Sequence, residues 1–161
     1  MLAAFVHQLS FHVLDKVRQH GHFQLTSSGA IMRDNTTCRV LFVEDEALVA
    51  MLIEDMLHDL GVEVVGPAYK IEHALALARE AEIEAAVLDI NIGGHSTYPV
   101  ADVLRDRGIP IIFATGYGSS ALPQRFQGTP TLHKPFDQSR FEEVMQAALA
   151  QSPCELSASD R

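Results

Sequence analysis

The residues with chemistry to offer are carboxylates, a hydroxyl and an amine, each placed where a predicted strand ends. Ala85-Ala86-Val87-Leu88 lead into Asp89, with Asn91 two positions on, and Val43 leads into Glu44-Asp45-Glu46. Ala114 leads into Thr115, and Thr131-Leu132-His133 lead into Lys134-Pro135-Phe136. Gathered within a few ångströms, Glu44, Asp45 and Asp89 would repel one another and raise at least one pKa unless a hard cation lay among them. Mg²⁺ suits such an oxygen-only set: it favours one or two carboxylates, a carbonyl and waters, and commonly completes its shell with a phosphate oxygen. Thr115 would supply a hydroxyl donor and Lys134 a fixed positive charge, the groups that the equatorial oxygens of a transferring phosphoryl group need. In that chemistry Asp89 is the nucleophile.

Each of these residues also has a plainer reading. Asp89 can simply open a turn, Glu44 and Asp45 can be a negatively charged helix start favoured by the helix dipole, and Lys134 can be a surface lysine. His95 and His133 flank the same positions by sequence, yet nothing gives them metal-ligand spacing, so solvated or partly packed histidines are expected. Phe113 and Phe136 read as core residues.

The elements that must position these groups alternate regularly. Residues 39–43 predict a strand and 48–60 a helix stopped by Gly61, then 62–65 a strand closed by Gly66-Pro67 and 71–81 a second helix. The unbroken apolar run into Asp89 fits a strand covered on both faces of a parallel sheet, and ligands bind at the carboxyl edge of such sheets. Pro99 suits the first turn of a third helix ended by Gly108. Residues 111–115 predict the fourth strand, 121–126 a short helix in a mobile connection over 116–130, and 131–133 the fifth strand. Asp137 can cap a final helix, with Phe136 and Phe141 packing across its first turn. Five strands alternating with helices through right-handed crossovers give an α/β fold, a doubly wound parallel sheet.

The 161-residue chain suits one domain with a real core. Its net charge of -9, with 47% hydrophobic and 20% charged residues, argues against direct DNA binding or attraction to an anionic membrane and favours a basic partner patch. No stretch has the length and apolar character of a membrane span or the design of an export signal, so a cytoplasmic protein is expected. Cys38 and Cys154 form no CxxC or CxxH pattern, and neither a metal knuckle nor a disulfide framework is expected. Residues 1–37 read as an extension, in which Leu2, Phe5, Val6, Leu9, Val13 and Val17 recur at helical spacing; Met32, just before the domain, leaves open whether it belongs to the native product. Residues 38–151 form the domain, and 152–161 read as a disordered tail.

Together Val43-Glu44-Asp45-Glu46, Val87-Leu88-Asp89, Ala114-Thr115-Gly116 and Lys134-Pro135-Phe136 resemble a response-regulator receiver domain over about residues 39–151. The run Phe113-Ala114-Thr115-Gly116-Tyr117-Gly118, with Tyr98-Pro99-Val100-Ala101-Asp102 before it, is similar to a subgroup of mostly stand-alone receivers. The resemblance implies a flavodoxin-like (CheY-like) sheet of strand order 2-1-3-4-5. It also implies a phosphorelay switch in which Asp89 accepts a phosphoryl group from a sensor histidine kinase or phosphotransfer protein. Mg²⁺ would be held by Glu44 or Asp45, Asp89 and the Asn91 carbonyl, with Thr115 and Lys134 gripping the product and the Lys134-Pro135 bond cis. The signal would pass by conformational change to a downstream protein partner.

The sequence departs from the pattern at two places. Thr131 stands where many receivers carry an aromatic residue, and Gly93-Gly94 replaces a common proline, which predicts an unusually free loop. Tyr117, within the resembling run, reads either as a cover over the site in place of that aromatic or as an exposed loop residue. The rival reading is a Mg²⁺-dependent phosphatase with an aspartyl nucleophile; such enzymes need a second Asp as general acid, and that position is Asn91. A third is a receiver-shaped binding module that works without phosphorylation. About a dozen residues follow the last predicted helix, too few for an appended output or DNA-binding domain.

Overall fold

The computed structural model describes residues 37–116, 122–150 and Cys154. The chain divides after Thr36. The expected helix in the N-terminal extension, and Tyr117, lie outside the described residues. Among the described residues, seven strands and four helices follow in the order β1 (Arg39–Val43), α1 (Ala47–Asp59), β2 (Glu63–Ala68), α2 (Ile71–Glu80), β3 (Ala85–Asp89), β4 (Asn91–Ile92), β5 (His95–Ser96), α3 (Tyr98–Asp106), β6 (Ile111–Thr115), β7 (Thr131–His133) and α4 (Gln138–Leu149). A single 3₁₀ turn, Gln124–Phe126, stands where a short helix over 121–126 was expected.

Five of the strands form a parallel sheet in the order β2-β1-β3-β6-β7. Counting these strands alone gives 2-1-3-4-5, the doubly wound order. Successive strand residues feed opposite faces, as the period of two requires. Val40 and Phe42 join Ile53, Leu57, Phe141 and Met145, from α1 and α4, in one cluster. Leu41 and Val43 join Ala74, Ala78, Val100 and Leu104, from α2 and α3, in the other. With helices on both faces, β1, β3 and β6 have no wet side, which explains their unbroken apolar runs.

Two local features differ from expectation. Gly66-Pro67 does not close β2; the strand runs on to Ala68 through a register shift opposite Leu41 and Val43. Gly66 sits at φ +120°, where a Cβ would lie 2.7 Å from the Phe42 carbonyl oxygen, so only glycine permits the close approach. The shift brings the Ala68 carbonyl to the Glu44 N–H at 3.2 Å. The second difference is covalent. Cys38 and Cys154 are joined as a disulfide with Cα atoms 5.3 Å apart, contrary to the expectation of no disulfide. Both are buried in the cluster shared by α1 and α4, so Cys154 is tied to the start of β1 rather than lying in a free tail.

The final helix starts as its sequence dictates. Asp137 Oδ1 accepts the Arg140 N–H at 2.9 Å, and the Phe136 and Phe141 rings stack at 5.9 Å across the first turn.

Candidate functional site

The sheet order reverses between β1 and β3, so the connections leaving their carboxyl ends diverge and open a crevice there. Glu44 and Asp45 follow β1, and Asp89 ends β3. Thr115 ends β6, one residue beyond Ala114, the register partner of Asp89, and is buried. Lys134 follows β7, with its backbone N–H held by the Thr115 carbonyl at 2.8 Å and a cis bond to Pro135. The resemblance had implied that isomer.

The side chains converge. Lys134 Nζ donates to Glu44 Oε2 and to Asp89 Oδ2, each at 2.6 Å. The second oxygen of each carboxylate accepts a backbone amide, Glu44 Oε1 from Glu46 at 3.1 Å and Asp89 Oδ1 from Asn91 at 2.9 Å. Glu44 is 0% exposed, Asp89 14% and Lys134 18%. Burial pushes the Glu44 pKa up and outweighs the hydrogen bonds from Lys134 and the Glu46 amide that oppose it. Burial pulls the Lys134 pKa down, but its hydrogen bonds to Asp89 and Glu44 prevail and the net direction is upward. The ammonium therefore stays charged at neutral pH and supplies the positive charge that two crowded carboxylates require.

Asp45 is exposed, and its Oδ2 accepts the Gly93 N–H at 2.7 Å. Glu44, Asp45 and Asp89 each offer an oxygen, and these atoms lie within 4.8 Å of one another. An all-oxygen, all-carboxylate donor set of that span fits a hard divalent cation. Asn91 is exposed directly beside it. His95 and His133 are exposed and stand outside this acidic group.

Sequence reasoning missed three parts of the surroundings. Asn91–Ile92 and His95–Ser96 pair as a small antiparallel hairpin, so the connection expected to be unusually free is built instead. Its turn is Gly93-Gly94, at φ +58° and +81°, and the signal was a two-residue Gly-Gly between pairable segments. Thr97, wholly buried, closes the hairpin by donating its hydroxyl to the Asp89 carbonyl at 2.5 Å. An aromatic cluster also lies beside β6. Tyr98 stacks on Phe126 at 5.5 Å and meets Phe113 edge-on at 6.0 Å, and Arg125 covers Phe126 and Tyr98. Thr131, at the position where an aromatic was absent, donates its hydroxyl to the Thr129 carbonyl.

Residues 40–146 match the response regulator receiver domain family. The chain belongs to that family. Among proteins similar to this receiver, the phyllosphere-induced regulator PhyR of Methylorubrum extorquens is 29% identical over 126 residues, covering 76% of this chain and 47% of PhyR. The transcriptional regulatory protein PdtaR of Mycobacterium tuberculosis is 28% identical, with 57% of its length covered, so the chain spans about half the length of these relatives. The solution structure of SdrG from Sphingomonas melonis Fr1 matches with a TM-score of 0.63 and 39% identity, covering 70% of this chain and 97% of SdrG. The receiver domain of the sensor histidine kinase PA1611 from Pseudomonas aeruginosa, solved with a magnesium ion coordinated in its active site cleft, has a TM-score of 0.63 at 23% identity and covers 71% of this chain and 99% of its own; that likeness speaks to the fold alone. Receivers are the response modules of two-component signalling. No helix among the described residues is long and apolar enough to cross a membrane.

Proposed function

We infer that this receiver accepts a phosphoryl group on Asp89 from a phosphohistidine of a sensor kinase or phosphotransfer protein, and signals through the change in shape that follows. The observation that carries the reading is the double grip of Lys134 on Glu44 and Asp89. It fixes one attackable carboxylate at the crevice, beside two further carboxylates that fit Mg²⁺. An Asp89 oxygen attacks phosphorus, the new O–P bond forms as the N–P bond of the donor breaks, and the imidazole nitrogen leaves with the bonding pair. Glu44, Asp45, Asp89 and the Asn91 carbonyl would hold Mg²⁺, which would supply charge neutralisation for the transfer.

Lys134 then exchanges its contact with the Asp89 carboxylate for one with the phosphoryl group, and Thr115 offers its hydroxyl to another phosphoryl oxygen. These differential contacts are what shift the balance between two conformations. The phosphorylated state is read by a protein partner rather than by DNA or a membrane, in keeping with the net charge of -9. The cytoplasm is the compartment of this reading. Asn91, two positions after the nucleophile, has no acidic proton to give a leaving group, so the site holds a phosphoryl group rather than turning over phosphate esters.

The experiment is phosphotransfer from a kinase, or from a small acyl phosphate donor, with Mg²⁺ present and intact mass as the readout. The wild type gains one phosphoryl group and Asp89→Ala gains none. Equal labelling of both proteins would refute the assignment.

A further inference from the structure

Beyond the Asn91 carbonyl, the hairpin β4–β5 has no role in the reading above, yet it is fastened to that site at both ends. Its root is built on the phosphoacceptor residue. The Asn91 N–H donates to Asp89 Oδ1, the Thr97 hydroxyl to the Asp89 carbonyl, and the Thr97 N–H to the Ile90 carbonyl at 2.9 Å. Ile92, 2% exposed, plugs it into the core between α2 and α3. Its tip reaches 48 residues back along the chain, where the Gly93 N–H meets Asp45 Oδ2.

We propose that this hairpin is a clasp that aims Asp45 at the divalent cation, with the Gly93 N–H as a positioning donor. Asp45 is exposed and follows the end of β1, and the Gly93 amide is its one hydrogen-bond donor among the described residues. Without that amide the carboxylate would turn freely in water. A backbone amide on a carboxylate is a charge-assisted bond, and here it is made to Oδ2, which fixes the plane of a carboxylate that also belongs to the acidic group. The amide also draws charge from the carboxylate and so weakens it slightly as a ligand. Orientation is the larger effect, because loss of a group that fixes a ligand costs about 10- to 100-fold in metal affinity. Gly93 has to be positive in φ to present its N–H this way, and a Cβ there would meet nothing within 4 Å. The constraint at this position is therefore backbone conformation and the N–H itself, not space.

The coupling must be reciprocal. If the clasp tightens Mg²⁺ binding, Mg²⁺ tightens the clasp by the same factor.

The inference rests on the metal reading given above, and the test separates the two. Mg²⁺ alone is titrated calorimetrically into the full chain as wild type, Gly93→Asn and Gly93→Pro. Asparagine keeps the N–H and tolerates positive φ, whereas proline removes both. Gly93→Asn should bind within about twofold of wild type and Gly93→Pro about tenfold or more weakly. Hydrogen exchange supplies the second measurement, in which saturating Mg²⁺ slows exchange of the Gly93 amide in the wild type. Wild-type affinity in Gly93→Pro, an equal loss in Gly93→Asn, or an unchanged Gly93 exchange rate would each overturn the clasp and leave the metal site standing. A wild type that takes up no Mg²⁺ would overturn the metal reading and the clasp with it.

Discussion

Removing the Lys134 ammonium while keeping its apolar stem, as in Lys134→Met, isolates the charge on which the site is balanced. That ammonium contacts Glu44, wholly buried, and Asp89, 14% exposed. Taking away one partner of a buried ion pair costs about 3–5 kcal/mol, because the charge left behind is uncompensated. Lys134 and Asp89 keep some contact with water, which places this case at the lower end, about 3 kcal/mol. For a domain of this size that is a fall in Tm of roughly 10 °C. Protonation of Glu44, whose pKa burial already pushes up, limits the loss in acid, so the deficit should shrink as the pH drops.

Mg²⁺ should reverse the effect. The ammonium and the cation compete for the same carboxylate charge, so a site without Lys134 gains more from the metal than the wild type does. Binding to the folded state at 100 times Kd adds about 2.7 kcal/mol, enough to restore most of the loss. Urea unfolding of both proteins, with chelator and with Mg²⁺, measures all four stabilities. Coincident midpoints in chelator would refute the electrostatic account of the site, as would equal Mg²⁺ stabilisation of the two proteins.

Two further outcomes follow from the same geometry. The Cys38–Cys154 disulfide closes a loop of 116 residues, so chemical reduction should lower stability by about 5 kcal/mol, the chain-entropy value; matching urea midpoints for oxidised and reduced protein would show that the bridge does not tether the fold. Glu44 has a folded-state pKa above its ordinary value, so the folded state binds more protons there than the unfolded state, and metal-free stability from this group falls as pH rises through the carboxylate range. Glu44→Gln should therefore gain on the wild type as pH climbs through that range in chelator, and a difference that stays flat with pH would contradict the burial argument.

The sheet was legible because every cue to it is local. The strands at 39–43, 111–115 and 131–133 were read to the residue: the first two are largely apolar runs that end at a charged or glycine position, and the third, Thr-Leu-His, is bounded by Pro130 and Lys134-Pro135. The cap at Asp137 and the ring pair Phe136 and Phe141 were readable for the same reason: their partners lie within five residues. What escaped was contact at a distance. Nothing near Cys38 announces Cys154, and nothing near Asp45 announces Gly93; only the folded sheet brings them together. The extension of β2 through Gly66-Pro67 was hidden by a rule that is ordinarily sound, that glycine and proline end a strand. Here they mark the bulge that carries the Ala68 carbonyl to Glu44. The hairpin has strands of two residues, too short for any period to register.

The meeting of Glu44, Asp89 and Lys134 in the candidate site was legible for a different reason, which is that these residues break the pattern that makes the rest of the sheet readable. Glu44 continues a run of buried residues yet carries a carboxyl group whose ionisation burial opposes. Local preference and global fold disagree at that residue, and such disagreements collect at functional positions. The core on both faces of β1 and β3 holds the acidic residues at the sheet edge despite their repulsion, and Lys134 offsets it only in part. A group left in that condition responds strongly to any added charge. A bound cation would relieve it and a phosphoryl group would redraw it, and either change would fall on Lys134 and the hairpin together because both are bonded to Asp89. On the proposed function, the same electrostatic crowding that costs this domain stability is what would let its sheet edge switch.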